Sequence, residues 1–169
     1  MIATRIRIRI RMRMRMALFA RDVAGLAALG LMLFCTSPAV YAKPKCTISA
    51  TAVNFGAYNV FAAAPDDNGV GTVQVNCNGA GKTVSVTMDT GLGGSYTPRV
   101  MRYGANTLSY NLYSDAARTT IWGDGSGGSS AVGVGGKVNT TLDVFGRIPA
   151  GQNVSVGAYS DSITVTVTF

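Results

Sequence analysis

The 169-residue chain has no histidine and no glutamate, only three cysteines and a single tryptophan. Without histidine no Ser-His or Cys-His pair can be assembled, and the commonest general base and metal ligand is missing. The carboxylates beyond residue 42 are seven scattered aspartates. Asp66 and Asp67 are adjacent, but they sit in PDDNG, which is turn chemistry before it is a catalytic pair. Oxygen ligands there suit a hard cation, yet no spaced ligand set accompanies them. GDGSGGSS at 123–130 is glycine-rich but lacks the lysine and strand–helix context of a phosphate loop, and reads as a flexible surface loop. Trp122 beside it reads as a core or rim aromatic, with stacking on a sugar as the functional alternative. No catalytic, cofactor-binding or metal-binding residue is expected, and the chain is not read as an enzyme.

Long apolar runs are also missing. VAGLAALGLMLF, residues 23–34, has twelve residues, where a helix crossing a bilayer needs about 20. It lies after the run RIRIRIRMRMRM at 5–16, in which every odd position is Arg and every even one Ile or Met. After it comes CTSPAVYA, with Val40 and Ala42 at −3 and −1 of a plausible cut. A basic region, a short apolar region and small residues at a cut make a secretory signal peptide over residues 1–42. Pro38 and the short length disfavour a membrane anchor, and Phe34 before Cys35 is a poor fit to a lipidation site. MALFARDVAGLAALGLMLFCTSPAVYA, from Met16 to Ala42, is an adequate signal peptide by itself, so translation from Met12, Met14 or Met16 competes with Met1. Of the net charge of +7, +6 belongs to this segment, where seven Arg stand against Asp22 alone. Beyond residue 42, eight basic residues face seven acidic ones, a balance of +1. No nucleic-acid partner is expected, and no membrane partner once the signal is removed.

Residues 43–169 form one domain. Apolar residues recur there with period two, among Thr, Val, Ser, Asn and Gly. SITVTVTF at the end puts Ile163, Val165, Val167 and Phe169 on one face, and Ser162, Thr164, Thr166 and Thr168 on the other. KTVSVTMD, TVQVNC, CTISA and LSYNLYSD repeat the pattern, with VNTTLDVF and QNVSVGAY as shorter candidates. PDDNG, NGAG at 78–81, GLGG at 91–94 and IPAGQ at 148–152 read as turns. Six or seven short strands without a helix predict an all-β, immunoglobulin-like β-sandwich. Cys46 and Cys77 both fall on inward phases of their strands. In an exported chain they are expected to pair, closing a loop worth roughly 3–4 kcal/mol in the chain-entropy model.

Four stretches together resemble the spore coat protein U domain family, whose relatives include subunits of archaic (Csu-type) chaperone–usher pili. They are CTISATAVNFGAYN at 46–59, GTVQVNC at 71–77, LSYNLYSDAARTTIWGDG at 108–125 and VFGRIPAGQNVSVGAYSDSITVTVTF at 144–169. The resemblance implies an incomplete, pilin-type sandwich lacking its last strand. A periplasmic chaperone lends a strand until an outer-membrane usher exchanges it for an extension of a neighbouring pilus subunit. Ser162, Ile163, Val165, Val167 and Phe169 would then border the groove that receives it, and Cys46–Cys77 would match the family's bridge. The implied role is a secreted structural or adhesive subunit, exported to the periplasm and then to a cell-surface fibre. The chain fits in stopping at Phe169, at the end of its most regular strand. It departs in having only Lys43, Pro44 and Lys45 between the expected cut and Cys46, too few for a donor strand. Three readings stay open: a tip subunit, a stand-alone secreted or coat domain that does not polymerise, or a cut elsewhere.

Overall fold

The computed structural model describes residues 3–13, 45–78, 83–135 and 138–169. The apolar segment 23–34, Cys35, the expected cut after Ala42, Met14, Met16 and most of the NGAG turn lie outside the described residues. The strands, in chain order, are β1 Ala3–Arg13, β2 Lys45–Ala50, β3 Val53–Ala57, β4 Val70–Asn78 and β5 Val84–Met88. They continue as β6 Arg99–Tyr103, β7 Asn106–Tyr113, β8 Val132–Val134, β9 Val138–Arg147 and β10 Ala158–Thr168. One short 3-10 turn, Gly91–Gly93, is the helical exception among the described residues.

Strict alternation explains the strands. In β5, Val84, Val86 and Met88 are buried while Ser85 and Thr87 are half-exposed. In β10, Tyr159, Asp161, Ile163, Val165 and Val167 are buried, and half-exposed Ser and Thr stand between most of them. β-Branched Val, Ile and Thr suit this half-buried pleat. Each fully buried Val or Ile contributes about 1.5–3 kcal/mol. Two-residue alternation under-reads β6, RVMRY, because two of its five residues are Arg. Its partner β7 is joined to it by a two-residue turn, which Gly104 opens at φ +57°.

Seven strands close a mixed barrel in the order β1-β3-β4-β9-β7-β6-β10, with β10 returning to β1. β2 adds to β4, and β5 and then β8 add to β10. Among the described strands every pairing is antiparallel except β1 with β10, which is parallel over eleven residue pairs from Ala3–Ala158 to Arg13–Thr168. β1 also pairs antiparallel with β3, with an irregularity between Thr4 and Arg5. The all-β expectation holds. Two separate sheets do not describe the closed path, because β1 bridges the edges of β3 and β10.

The candidate strand QNVSVGAY needs correction. Residues 151–157 are not strand, and β10 begins only at Ala158. The reason is local: the Gln152 side chain occupies the place of a strand partner. Its Oε1 accepts from the Ser109 N–H at 2.8 Å, and its Nε2 donates to the Ser109 carbonyl at 2.9 Å.

Candidate functional site: the seam between β3 and β10

β10 is the last strand and carries the most regular apolar row. Ile163, Val165 and Val167 are fully buried in the core. Ser162 is half-buried on the opposite phase, and Phe169, just past the strand, packs half-buried against the same core. Across the seam, β3 contributes buried Val53 and Phe55 to that core. β1 lies between them. Its Ile6 is fully buried and Ile8 half-buried, while Arg7, Arg9 and Arg11 are exposed. The register sets Ile8 beside Ile163, Ile10 beside Val165 and Met12 beside Val167. The run assigned on sequence to a leader segment is thus the strand that closes the barrel.

The other edge of β10 is held by polar groups that alternation does not announce. Asp161 is 3% exposed on the inward phase. Its carboxylate accepts from Tyr110 Oη at 2.6 Å, from the Leu92 N–H at 2.8 Å and from the Ser162 N–H at 2.7 Å. Burial, and then the Asp161 charge, push the Tyr110 phenol well above its ordinary value. Arg99 is fully buried. It donates to Asn111 Oδ1 at 2.8 Å, to the Trp122 carbonyl at 2.7 Å and to the Asp89 carbonyl at 2.9 Å. Its guanidinium lies 4.9 Å from the centre of the Tyr96 ring. Burial lowers the Arg99 pKa from its ordinary value, against the pull of neighbouring tyrosines and aspartates. The one sequence signal for this network was a charged residue on an inward phase, Asp161 in YSDSI and Arg99 in RVM.

Trp122 belongs to this network. It is fully buried and donates its indole N–H to the Val86 carbonyl at 3.1 Å, which excludes it as a sugar-stacking surface. The adjoining 123–130 loop is tied at both ends: Gly123 N–H donates to Ser130 O at 2.9 Å, and Ser130 N–H to Ile121 O at 2.8 Å. Asp66 Oδ1 accepts from the Asn68 N–H at 3.0 Å, a local turn bond. The Asp67 carboxylate takes Arg147 through Nε at 2.7 Å and its second nitrogen at 2.8 Å, with Arg118 at 3.2 Å. The Arg147 hydrogen bond holds the Asp67 carboxyl below its ordinary range. Cys46 and Cys77 face each other across β2 and β4 and form a disulfide, their Cα atoms 4.0 Å apart. Among the described residues no group of three or more His, Cys, Asp or Glu could hold a metal ion.

The described residues thus form a disulfide-linked β-barrel whose buried polar groups bond to one another and to its own backbone. Residues 32–166 match the spore coat protein U domain family, and the chain belongs to that family. Membership puts it among coat-type structural domains, not among enzymes. The chain is 37% identical to Protein U of Myxococcus xanthus over 130 residues, covering 69% of this chain and 71% of that protein. Its fold is similar to a chain in the crystal structure of the CsuC–CsuE chaperone–tip adhesion subunit pre-assembly complex from the archaic chaperone–usher Csu pili of Acinetobacter baumannii. The TM-score is 0.50 at 21% identity, over 75% of this chain and 40% of that one.

Proposed function

We propose that the domain 43–169 is a secreted structural or adhesive subunit of a cell-surface fibre, released from a signal peptide spanning 1–42. In this reading it is an incomplete immunoglobulin-like sandwich. A periplasmic chaperone, then the outer-membrane usher and neighbouring subunits, complete it by donating a strand between β3 and β10. Ser162, Ile163, Val165, Val167 and Phe169 border that groove. The observation that carries the reading is that, among the described residues, β1 alone bridges β3 and β10 directly, and β1 lies within the segment expected to be cleaved. Without it both strands present unpaired backbone groups over an apolar row, an edge that seeks a partner strand. A cut after Ala42 leaves three residues before Cys46, which favours a place at a tip or terminus of the fibre.

The same pairing favours a second reading. A chain that keeps residues 3–13 closes its own barrel and can serve as a stand-alone secreted or coat domain. Expression of 43–169 alone in an oxidising compartment separates the two. The subunit reading expects aggregation or instability, relieved by a co-expressed chaperone or a donor peptide. A stable, folded monomer without either would refute it.

A further inference from the structure

Asp124, in GDGSGGSS, lines one side of an open polar cleft of about 300 Å³. Thr87 and Asp89 line its middle, and Thr166 and Thr168 of β10 its other side, with Tyr96 also in the lining. All six lie beyond residue 42. Register brings them together. β5 and β10 set Thr87 opposite Thr166, and just past β5 the Asp89 N–H donates to the Thr164 carbonyl at 3.1 Å. The Met88 N–H donates to the Gly123 carbonyl at 3.3 Å, which brings Asp124 beside the end of β5. Neighbouring strands lie about 4.8 Å apart, so three such segments span about 10 Å.

Buried Arg99 fixes this geometry. It donates to the Asp89 carbonyl at 2.9 Å and to the Trp122 carbonyl at 2.7 Å, tying together the two segments that carry the carboxylates. Tyr96 Oη donates to the Met88 carbonyl at 2.9 Å. Two glycines let the 123–130 loop lie against the Tyr96 ring. A Cβ on Gly123 would stand 2.7 Å from Tyr96 Cε1, and one on Gly127 3.3 Å from Cδ2. A cleft held in place beforehand loses little freedom when a ligand arrives.

Each carboxylate uses one oxygen on its own surroundings. Asp89 Oδ1 accepts from the Gly91 N–H at 3.1 Å and the Thr164 N–H at 3.0 Å. Asp124 Oδ1 accepts from the Ser126 N–H at 2.9 Å and its hydroxyl at 2.7 Å. These bonds orient both side chains and leave the second oxygen of each as acceptor capacity in the cleft. Thr87 donates its hydroxyl to the Thr166 carbonyl at 3.4 Å, and so meets the cleft as an acceptor. The hydroxyls of Thr166 and Thr168 can donate or accept.

We propose that this cleft binds a saccharide through neighbouring hydroxyl groups. A sugar hydroxyl both donates and accepts, which suits carboxylates beside threonine hydroxyls. An ammonium group only donates, and would leave the threonine donors without a partner. Two adjacent sugar hydroxyls donate to Asp89 and Asp124, while Thr166 and Thr168 donate to the ligand's oxygens. The cleft does not depend on the subunit reading, because the seam between β3 and β10 contributes no strand edge to it.

Titration of the purified full-length chain with D-glucose, D-galactose, D-mannose and N-acetyl-D-glucosamine, read by amide chemical shifts, tests the proposal. At least one of these sugars is expected to shift the Asp89 and Asp124 amides saturably. Asp89→Asn and Asp124→Asn keep one side-chain oxygen for the existing bonds and remove the charge and the second acceptor. Each is expected to weaken binding about tenfold. Asp143→Asn, at an exposed position of β9, should leave it unchanged. If either cleft variant loses its dispersed spectrum, Thr166→Val, which removes one hydroxyl at similar volume, replaces it with the same expectation.

No saturable shift with any of the sugars overturns the proposal. So does binding that the cleft variants leave unchanged, which would place the sugar elsewhere. Saturable binding of methylamine with none of the sugars also overturns it, and assigns the cleft to a cation. The subunit reading fails on a different result, a stable monomer of 43–169, which leaves the cleft standing.

Discussion

The two edges of β10 are held in different ways. One is held by the domain itself. β5 pairs with Val165–Thr168, Asp161 reaches Tyr110 and Leu92, and buried Arg99 ties Asn111, Asp89 and Trp122 together nearby. The other is held by β1, a segment from the far end of the chain, through a parallel ladder, buried Ile6 and half-buried Ile8. The first edge is specific, since each polar group has its own partners and losing one leaves a buried charge or carbonyl unsatisfied. The second rests on backbone pairing and aliphatic packing.

The comparison can be broken at several places. Arg99→Leu should have the largest effect, about 3–5 kcal/mol of lost stability in urea unfolding, because the buried Asn111 amide and Trp122 carbonyl and the Asp89 carbonyl all lose a charged donor. A loss under about 1 kcal/mol would show the polar edge to be dispensable. Removing the bridge with Cys46→Ser and Cys77→Ser together should cost roughly 3–4 kcal/mol. It should loosen β2 from β4 and leave the contrast between the two edges of β10 visible in amide exchange. Asp161→Asn should cost about 1–3 kcal/mol, since Tyr110 and two backbone N–H groups share one carboxylate.

Alkaline pH tests the same edge without mutation. Burial, with Asp124 nearby, pushes Tyr96 up to about 12 from an ordinary 10.0. The neutral phenol is thus favoured in the fold. Its contribution is fully present below about pH 10 and should be lost as pH rises toward about 12. Tyr110 acts in the same direction. Unfolding midpoints that stay level across this window would contradict the buried phenols. The smallest effect belongs to Asp67→Asn, at most about 1 kcal/mol, because the Asp67 side chain is 38% exposed beside Arg147 and Arg118. The Asp67 pKa is depressed, so its contribution is present above the ordinary carboxylate range and lost as pH falls through the lowered value. Neither edge of β10 should respond in amide exchange.

Much of the fold was legible because alternation is a local signal. TVQVNC, KTVSVTMD and SITVTVTF announce β4, β5 and β10 through residues two apart, with no knowledge of partners. The pairing of Cys46 with Cys77 was expected from phase and compartment. What escaped was non-local. RVMRY carries an arginine inward because Asn111 and two carbonyls from other segments await it. QNVSV alternates but is no strand, because Gln152 reaches Ser109, 43 residues away in the chain. Trp122 is a core residue for the same kind of reason, its indole meeting the Val86 carbonyl.

The sequence alone determined the all-β class, the inward phases of the main strands and the basic, alternating character of residues 5–16. Those properties depend on chirality, steric preference and the two-residue period of the pleat, all readable within a few positions. Only the tertiary structure decided that the alternating run could serve as a strand between β3 and β10. Strand pairing is a contract between distant edges, and alternation states which face a strand offers without stating to whom.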